Sequence, residues 1–273
     1  MTSNATPKVH IEAQGSLLTV TPQIDYQGIT TNNGDSRGEI TGFSARSRKR
    51  LLELVAKLDI KDRDGYRANT SFLTLTTKAI LHPIPFKIFM FSFLKRLKRK
   101  SPRISAIWRI EPQKRGATHA HLILLNAPYL PKEWIQASWG EIIDELRPFT
   151  RIERVNSRRK IMSYASKYVA KGLAGFNYVP YLTVDKTTGE IDDRIGRQWG
   201  VYQRETLPWA TLHETDVKLD GSWWLIRSYC KRLWEGLEDA TGKGFTIFCD
   251  NPNEHLERLV LISKQFIVAA NSS

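Results

Sequence analysis

Apolar residues recur along this chain in two periods, and the switches between them lay out an order of elements. Residues 44–58 place Leu51, Leu52, Val55 and Leu58 at helical spacing behind the cationic cluster Arg46, Arg48, Lys49 and Arg50. Residues 71–77 are β-branched and alternating, which predicts a strand, and residues 86–99 return to helical spacing and end in Lys95, Arg96, Lys98 and Arg99. Residues 106–111 alternate again, and after a turn at Lys114-Arg115-Gly116 so do residues 118–125, so the two predict a β-hairpin. A helix over 131–146 with proline near its start, a strand over 149–155 and a helix over 158–171 closed by Gly172 complete the series.

The order β-α-β-β-α-β-α predicts a mixed α+β fold, an antiparallel β-sheet flanked by helices. Residues 1–40, rich in Thr, Ser, Asn, Gln and Gly, read as a largely flexible segment, and 41–176 as the main domain, opened by the basic helix. Residues 177–273 read as a C-terminal α/β extension, packed on the core or forming a small accessory domain, with helices over 220–237 and 252–267 and a strand over 245–249. Five of the eight tryptophans (Trp199, Trp209, Trp223, Trp224 and Trp234) fall in this extension and read mainly as packing residues.

Charge sharpens the picture. The 273 residues carry a formal net charge of +13, and 41–172 alone hold 28 Lys+Arg against 10 Asp+Glu. The excess lies in segments with apolar periodicity, which predicts a folded basic surface and a polyanionic partner. Two cysteines, Cys230 and Cys249, are too few for a disulfide framework and point to a reducing compartment. The longest apolar run, residues 80–94, is broken by Pro83, Pro85 and Lys87, and no secretory leader opens the chain, so no membrane partner is expected.

His119 and His121 lie two apart on a predicted strand and so share a face, which makes half a metal site. On spacing alone such a pair is more often a surface or hydrogen-bonded pair. Strand parity offers a third ligand: with a three-residue loop Arg115-Gly116-Ala117, Glu111 falls opposite His121 and Gln113 opposite His119, whereas a two-residue loop turns Glu111 away. Further on, Tyr164, Lys167, Tyr168 and Lys171 occupy offsets 0, 3, 4 and 7 and form one helical stripe. The stripe could be amphipathic burial, with the rings in the core and the lysine stems snorkelling outward. It could also be chemistry, because a phenol of pKa near 10 needs a cation and an activated electrophile to act as a nucleophile at neutral pH.

These motifs, Trp108 to Gly116, Thr118-His119-Ala120-His121-Leu122-Ile123-Leu124 and the Tyr-x-x-Lys-Tyr-x-x-Lys helix, with Phe72-Leu73-Thr74-Leu75-Thr76 before them, resemble the HUH endonuclease family. More narrowly they resemble the rolling-circle replication initiator (Rep) proteins of small phages and plasmids. The resemblance spans about residues 71–172 and implies a ferredoxin-like core similar to an RNA-recognition motif. It also implies a metal-dependent endonuclease and strand transferase, with Mg²⁺ or Mn²⁺ held by His119, His121 and Glu111. Tyr164 and Tyr168 match the nucleophile position, with Tyr164 the expected first nucleophile, Lys167 its nearest charge partner and Lys171 the partner of the second. The expected product is a 5′-phosphotyrosine and a 3′-OH that primes replication.

The partners so implied are single-stranded DNA and a hairpin or duplex at the origin, with Arg46, Arg48, Lys49, Arg50, Lys114 and Arg115 as expected DNA contacts. No phosphate-binding Gly-x-x-x-x-Gly-Lys-Ser/Thr loop occurs, so unwinding and synthesis fall to a host helicase and polymerase, in the cytoplasm of a bacterial host. Arg197-Gln198-Trp199-Gly200 resembles a motif that follows the core in related initiators, with no role assigned. Two further readings stay open: an HUH transposase or relaxase, and a basic nucleic-acid-binding module without catalysis.

Overall fold

The computed structural model describes residues 8–23, 44–59, 70–113, 115–155, 160–164, 183–184, 191–192, 196–218, 223–233 and 244–271. In chain order the elements begin with strands β1 (Lys8–Gln14) and β2 (Leu17–Gln23), helix α1 (Ala45–Ala56), β3 (Thr70–Thr76) and α2 (Pro83–Lys100). They continue with β4 (Ser105–Pro112), β5 (Thr118–Leu125), α3 (Lys132–Ile143), β6 (Thr150–Val155) and α4, described over residues 160–164. After these come β7 (Thr183–Val184), β8 (Ile191–Asp192), β9 (Trp199–Tyr202), β10 (Leu212–Lys218), α5 (Trp223–Leu233), β11 (Phe245–Phe248) and α6 (Pro252–Asn271). The chain divides into two compact units, one of Met1–Gly34, Ala56–Asp59 and Trp209–Ser273, the other of Asp35–Val55 and Ile60–Pro208.

The second unit is built on a five-stranded sheet in the order β6-β3-β5-β4-β9, with every pairing antiparallel. Its first four strands with α2 and α3 form the split βαβ arrangement that the element order predicts. α2 begins where the His82 ring accepts a hydrogen bond from the Ile84 amide (3.3 Å) and Pro83 takes the first turn. It ends in Lys98, Arg99 and Lys100, whose charges oppose the helix dipole. Phe86, Met90, Phe93, Leu94 and Leu97 line its inner stripe and pack on Leu73, Leu75, Trp108, Ile110, Ala120 and Leu122. From α3 the fully buried Trp139 packs edge-on against Phe86 and Phe93 and donates its indole N–H to the Thr76 carbonyl at 2.7 Å. One face of the sheet is thereby sealed by α2 and α3. The alternation that sends Leu73, Ile110 and Ala120 into this core sends Thr74, Glu111, His119 and His121 to the opposite face.

The first unit corrects two expectations. Residues 1–40 were expected to be largely flexible, yet 8–23 form the hairpin β1–β2 about Gly15 (φ +67°), inside a four-stranded antiparallel sheet ordered β10-β1-β2-β11. Val9, Ile11, Ala13, Leu18 and Val20 are buried against Ile226, Cys230, Leu256 and Leu259 of α5 and α6. The segment looks polar because only alternate positions are apolar, and the groups that bury them lie some 200 residues further on. Nor does the C-terminal region divide from the rest at residue 177: β9 belongs to the five-stranded sheet, and β10 and β11 flank the N-terminal hairpin. Among the described residues no helix is long and apolar enough to cross a membrane.

Candidate metal and nucleophile site

On the open face of the five-stranded sheet, β4 and β5 bring three ligand atoms together. Glu111 Oε1 lies 3.3 Å from His119 Nε2 and 3.1 Å from His121 Nε2, and the two Nε2 atoms are 2.7 Å apart. The register differs from the expected one by two residues. Glu111 pairs with His119 and Arg109 with His121, where Glu111 opposite His121 was expected. The turn explains the shift. Gln113 N–H donates to Ala117 O and Gly116 N–H to Gln113 O, both at 2.8 Å, so the three-residue loop is 114–116. Its last position has φ +86° and falls on Gly116, the one loop residue without a Cβ, whereas loop 115–117 would put Ala117 there. A two-residue shift preserves parity, so Glu111 keeps the face that the metal reading requires.

Charge and hydrogen bonding preset the cluster. Arg109 Nη2 lies 3.4 Å from Glu111 Oε2, and both residues are under 10% exposed, at 7% and 9%. Burial works against the charged form of Glu111. Hydrogen bonds from His119 and His121 and the Arg109 guanidinium outweigh it and hold the carboxyl well below the usual carboxylate range. His121 Nδ1 lies 3.3 Å from Thr74 Oγ1, its cross-strand neighbour on β3, and donation from Nδ1 to that hydroxyl leaves the Nε2 lone pair free to bind a cation.

The donor set fits a divalent ion. Three acceptor atoms at 2.7–3.3 Å repel one another unless a proton or cation lies among them. Neighbouring ligands of an octahedral ion at about 2.1 Å would stand about 3.0 Å apart. Two imidazoles and one carboxylate suit Mn²⁺ or another first-row ion better than an all-oxygen site would.

Tyr164, on α4, reaches this face. Its ring stacks on Phe72 (centroids 4.1 Å apart, planes at 21°) and meets His121 edge-on at 5.9 Å. The phenol therefore stands beside the imidazoles, with no apolar layer between. A cleft of about 700 Å³ opens here, lined by Phe72, Thr74, His121 and Tyr164 and walled by Arg151, Arg154 and Lys160. Glu153 also lines it and forms an ion pair with Arg151.

Other expected site residues fall elsewhere. Tyr168, Lys167, Lys171 and Lys114 lie outside the described residues. Arg46, Lys49 and Arg50 are exposed and Arg48 half-buried on α1, with Lys49 Nζ 3.8 Å from Glu53, and none of the four lines the cleft. Arg115 is exposed, but its guanidinium is occupied within the protein. It donates to Gln113 Oε1 (3.0 Å), to Lys78 O (2.6 Å) and to Thr77 O, clamping the β4–β5 turn to the end of β3.

Arg109, Thr74, Phe72, Arg151, Arg154 and Lys160 were not singled out from the sequence. Arg109 carried a signal, as the polar residue two before Glu111 on an otherwise apolar strand. The rest depend on pairings that join β3, β5 and β6 across long stretches of chain.

Comparison with known proteins bears on the same segment. A family model described as a replication-associated protein of the ORF2 type matches residues 70–173, from β3 through the whole of the cluster to the region of the tyrosine helix. No curated protein and no solved structure matches the chain. The match associates the site-bearing part of the five-stranded unit with replication-associated proteins, and so with a replication initiator role acting on DNA.

Proposed function

We propose that the protein is a rolling-circle replication initiator of the HUH type that nicks one DNA strand with Tyr164. The observation that carries this reading is the convergence of Glu111, His119 and His121 on one sheet face with the Tyr164 ring 5.9 Å from His121, within the segment matched by the replication-associated model. A divalent cation held by the three would draw charge from a phosphate oxygen of the scissile bond.

The chain's own groups do the rest. Phe72 and His121 hold the Tyr164 ring from two directions, so the phenol is fixed before substrate arrives. Arg109 keeps Glu111 anionic. Arg151, Arg154 and Lys160 offer cations to the phosphates of an unpaired strand entering the cleft. Tyr164 Oη loses its proton and bonds to phosphorus, the P–O3′ bond breaks, and the departing 3′ oxygen takes up a proton. The products are a 5′-phosphotyrosine and a 3′-OH primer, and the reverse reaction rejoins strands. Lys167 as charge partner and Tyr168 with Lys171 as a second nucleophile pair belong to the same reading, as do a duplex or hairpin partner for the basic α1 and a host helicase and polymerase.

The test is covalent. Full-length protein incubated with Mn²⁺ and the single strands of its own replicon's origin should give an adduct that survives SDS. Chelation of the metal, Glu111→Ala and the double change Tyr164→Phe with Tyr168→Phe should each abolish it. An adduct that persists in the double variant rejects the nucleophiles. Binding without any adduct on either origin strand favours a nucleic-acid-binding module.

A further inference from the structure

One motif is left unused by this reading, Arg197-Gln198-Trp199-Gly200. Its structural setting separates Gly200 from Trp199. Gly200 lies against the core face, where an added Cβ would stand 2.7 Å from the Trp108 ring, so glycine here lets β9 approach β4 closely. The Ile110 amide donates to the Gln198 carbonyl at 2.8 Å and extends the same edge. Trp199 has the opposite parity. It pairs with Arg109, the residue that holds Glu111, and so lies on the face that carries the histidines, where it is half-buried.

The cross-strand pairings then define a row of five residues across the whole sheet: Arg151 on β6, Thr74 on β3, His121 on β5, Arg109 on β4 and Trp199 on β9. At about 4.8 Å per strand the row is about 19 Å long, with His121 at its centre and Trp199 about 10 Å from it. The cations of the cleft stand at one end and an indole at the other. We infer that Trp199 is a base-stacking platform for the unpaired strand on the side of the metal cluster opposite the cleft, so that the strand crosses the sheet along this row. The chemistry is that of single-strand binders, in which cations follow the phosphates and an aromatic face takes a base without reading its identity.

This inference rests on the site being a single-strand site, and its test is independent of cleavage. Full-length protein in chelator is titrated with two labelled probes, a dT12 oligonucleotide and an abasic 12-mer with the same phosphates and no bases. Trp199→Leu should weaken dT12 binding roughly 10–100-fold and leave the abasic probe unchanged, while Trp199→Phe should stay within a few-fold of the parent on both. Unfolding curves of the variants check that the fold is kept. If Trp199→Leu binds dT12 like the parent, Trp199 is a packing residue and the inference is overturned. An equal loss on both probes overturns it too, since the effect would then be on phosphates or folding. Should the Trp199 pattern hold while no adduct forms, nicking fails and this site stands; an adduct with no Trp199 effect gives the reverse.

Discussion

Tyr164 is held by ring faces, which leaves its hydroxyl unencumbered by the contact that positions it. Stacking on Phe72 at 4.1 Å fixes the plane of the phenol, and the edge of His121 fixes its tilt. An aromatic pair of this kind contributes about 0.5–1.5 kcal/mol, enough to select one rotamer of an otherwise mobile side chain. Phe72→Ala should therefore slow adduct formation in a single turnover by about 10–100-fold while leaving affinity for the strand within a few-fold, and Phe72→Trp should restore most of the rate. Equal rates for Phe72→Ala and the parent, measured by quenched-flow gel analysis, would show that the stack is incidental.

At the scale of the elements, the edge strand β9 depends on one position. Gly200→Ala would push a methyl group into the Trp108 ring, and because Trp108 is anchored edge-on to Phe91 in the core, the strand must yield. The expected cost is about 1–3 kcal/mol, read as a shift in the urea midpoint at unchanged slope. Strands of this sort also mark the limit of what the sequence discloses. β3 to β6 with α2 and α3 were legible because each carries its own period and sits beside its partners or is joined to them by a helix. The metal face was legible too, since parity survives a two-residue error in register. β9 and β10 were not, because they lack an apolar alternation strong enough to stand out, and their pairings with β4 and β1 are non-local. Arg115 was misread for a related reason: its charge is visible in the sequence, while the Thr77 and Lys78 carbonyls that occupy it are not.

Over the whole molecule the charge is divided between the units. The site-bearing unit holds the basic excess, while in the other the outer face of the β1–β10 ladder gathers three carboxylates around one imidazole. His10 Nδ1 meets Asp216 at 2.8 Å, and Nε2 faces Glu12 at 3.3 Å and Glu214 at 3.8 Å. The hydrogen bond to Asp216 is the main cause that raises the His10 pKa above its ordinary 6.5, against a smaller opposing effect of burial. The folded protein thus holds this proton more tightly than the unfolded chain. The stabilisation is complete below pH 6.5 and fades as pH rises through the folded-state value. His10→Gln should lower the melting temperature at about pH 5.5–6 and converge with the parent by about pH 9; parallel curves at both ends would contradict this.

The same ladder bears on how the chain acquires its fold during synthesis. β1 and β2 leave the ribosome first, yet β10, which completes one side of their sheet, begins about 190 residues after β2 ends. At roughly 5–20 residues per second, the apolar face of Val9, Ile11, Leu18 and Val20 waits roughly 10–40 s for its cover. Within that interval most of the five-stranded unit is already translated, so the nascent chain can finish its replication module while its first hairpin still needs shelter from a chaperone.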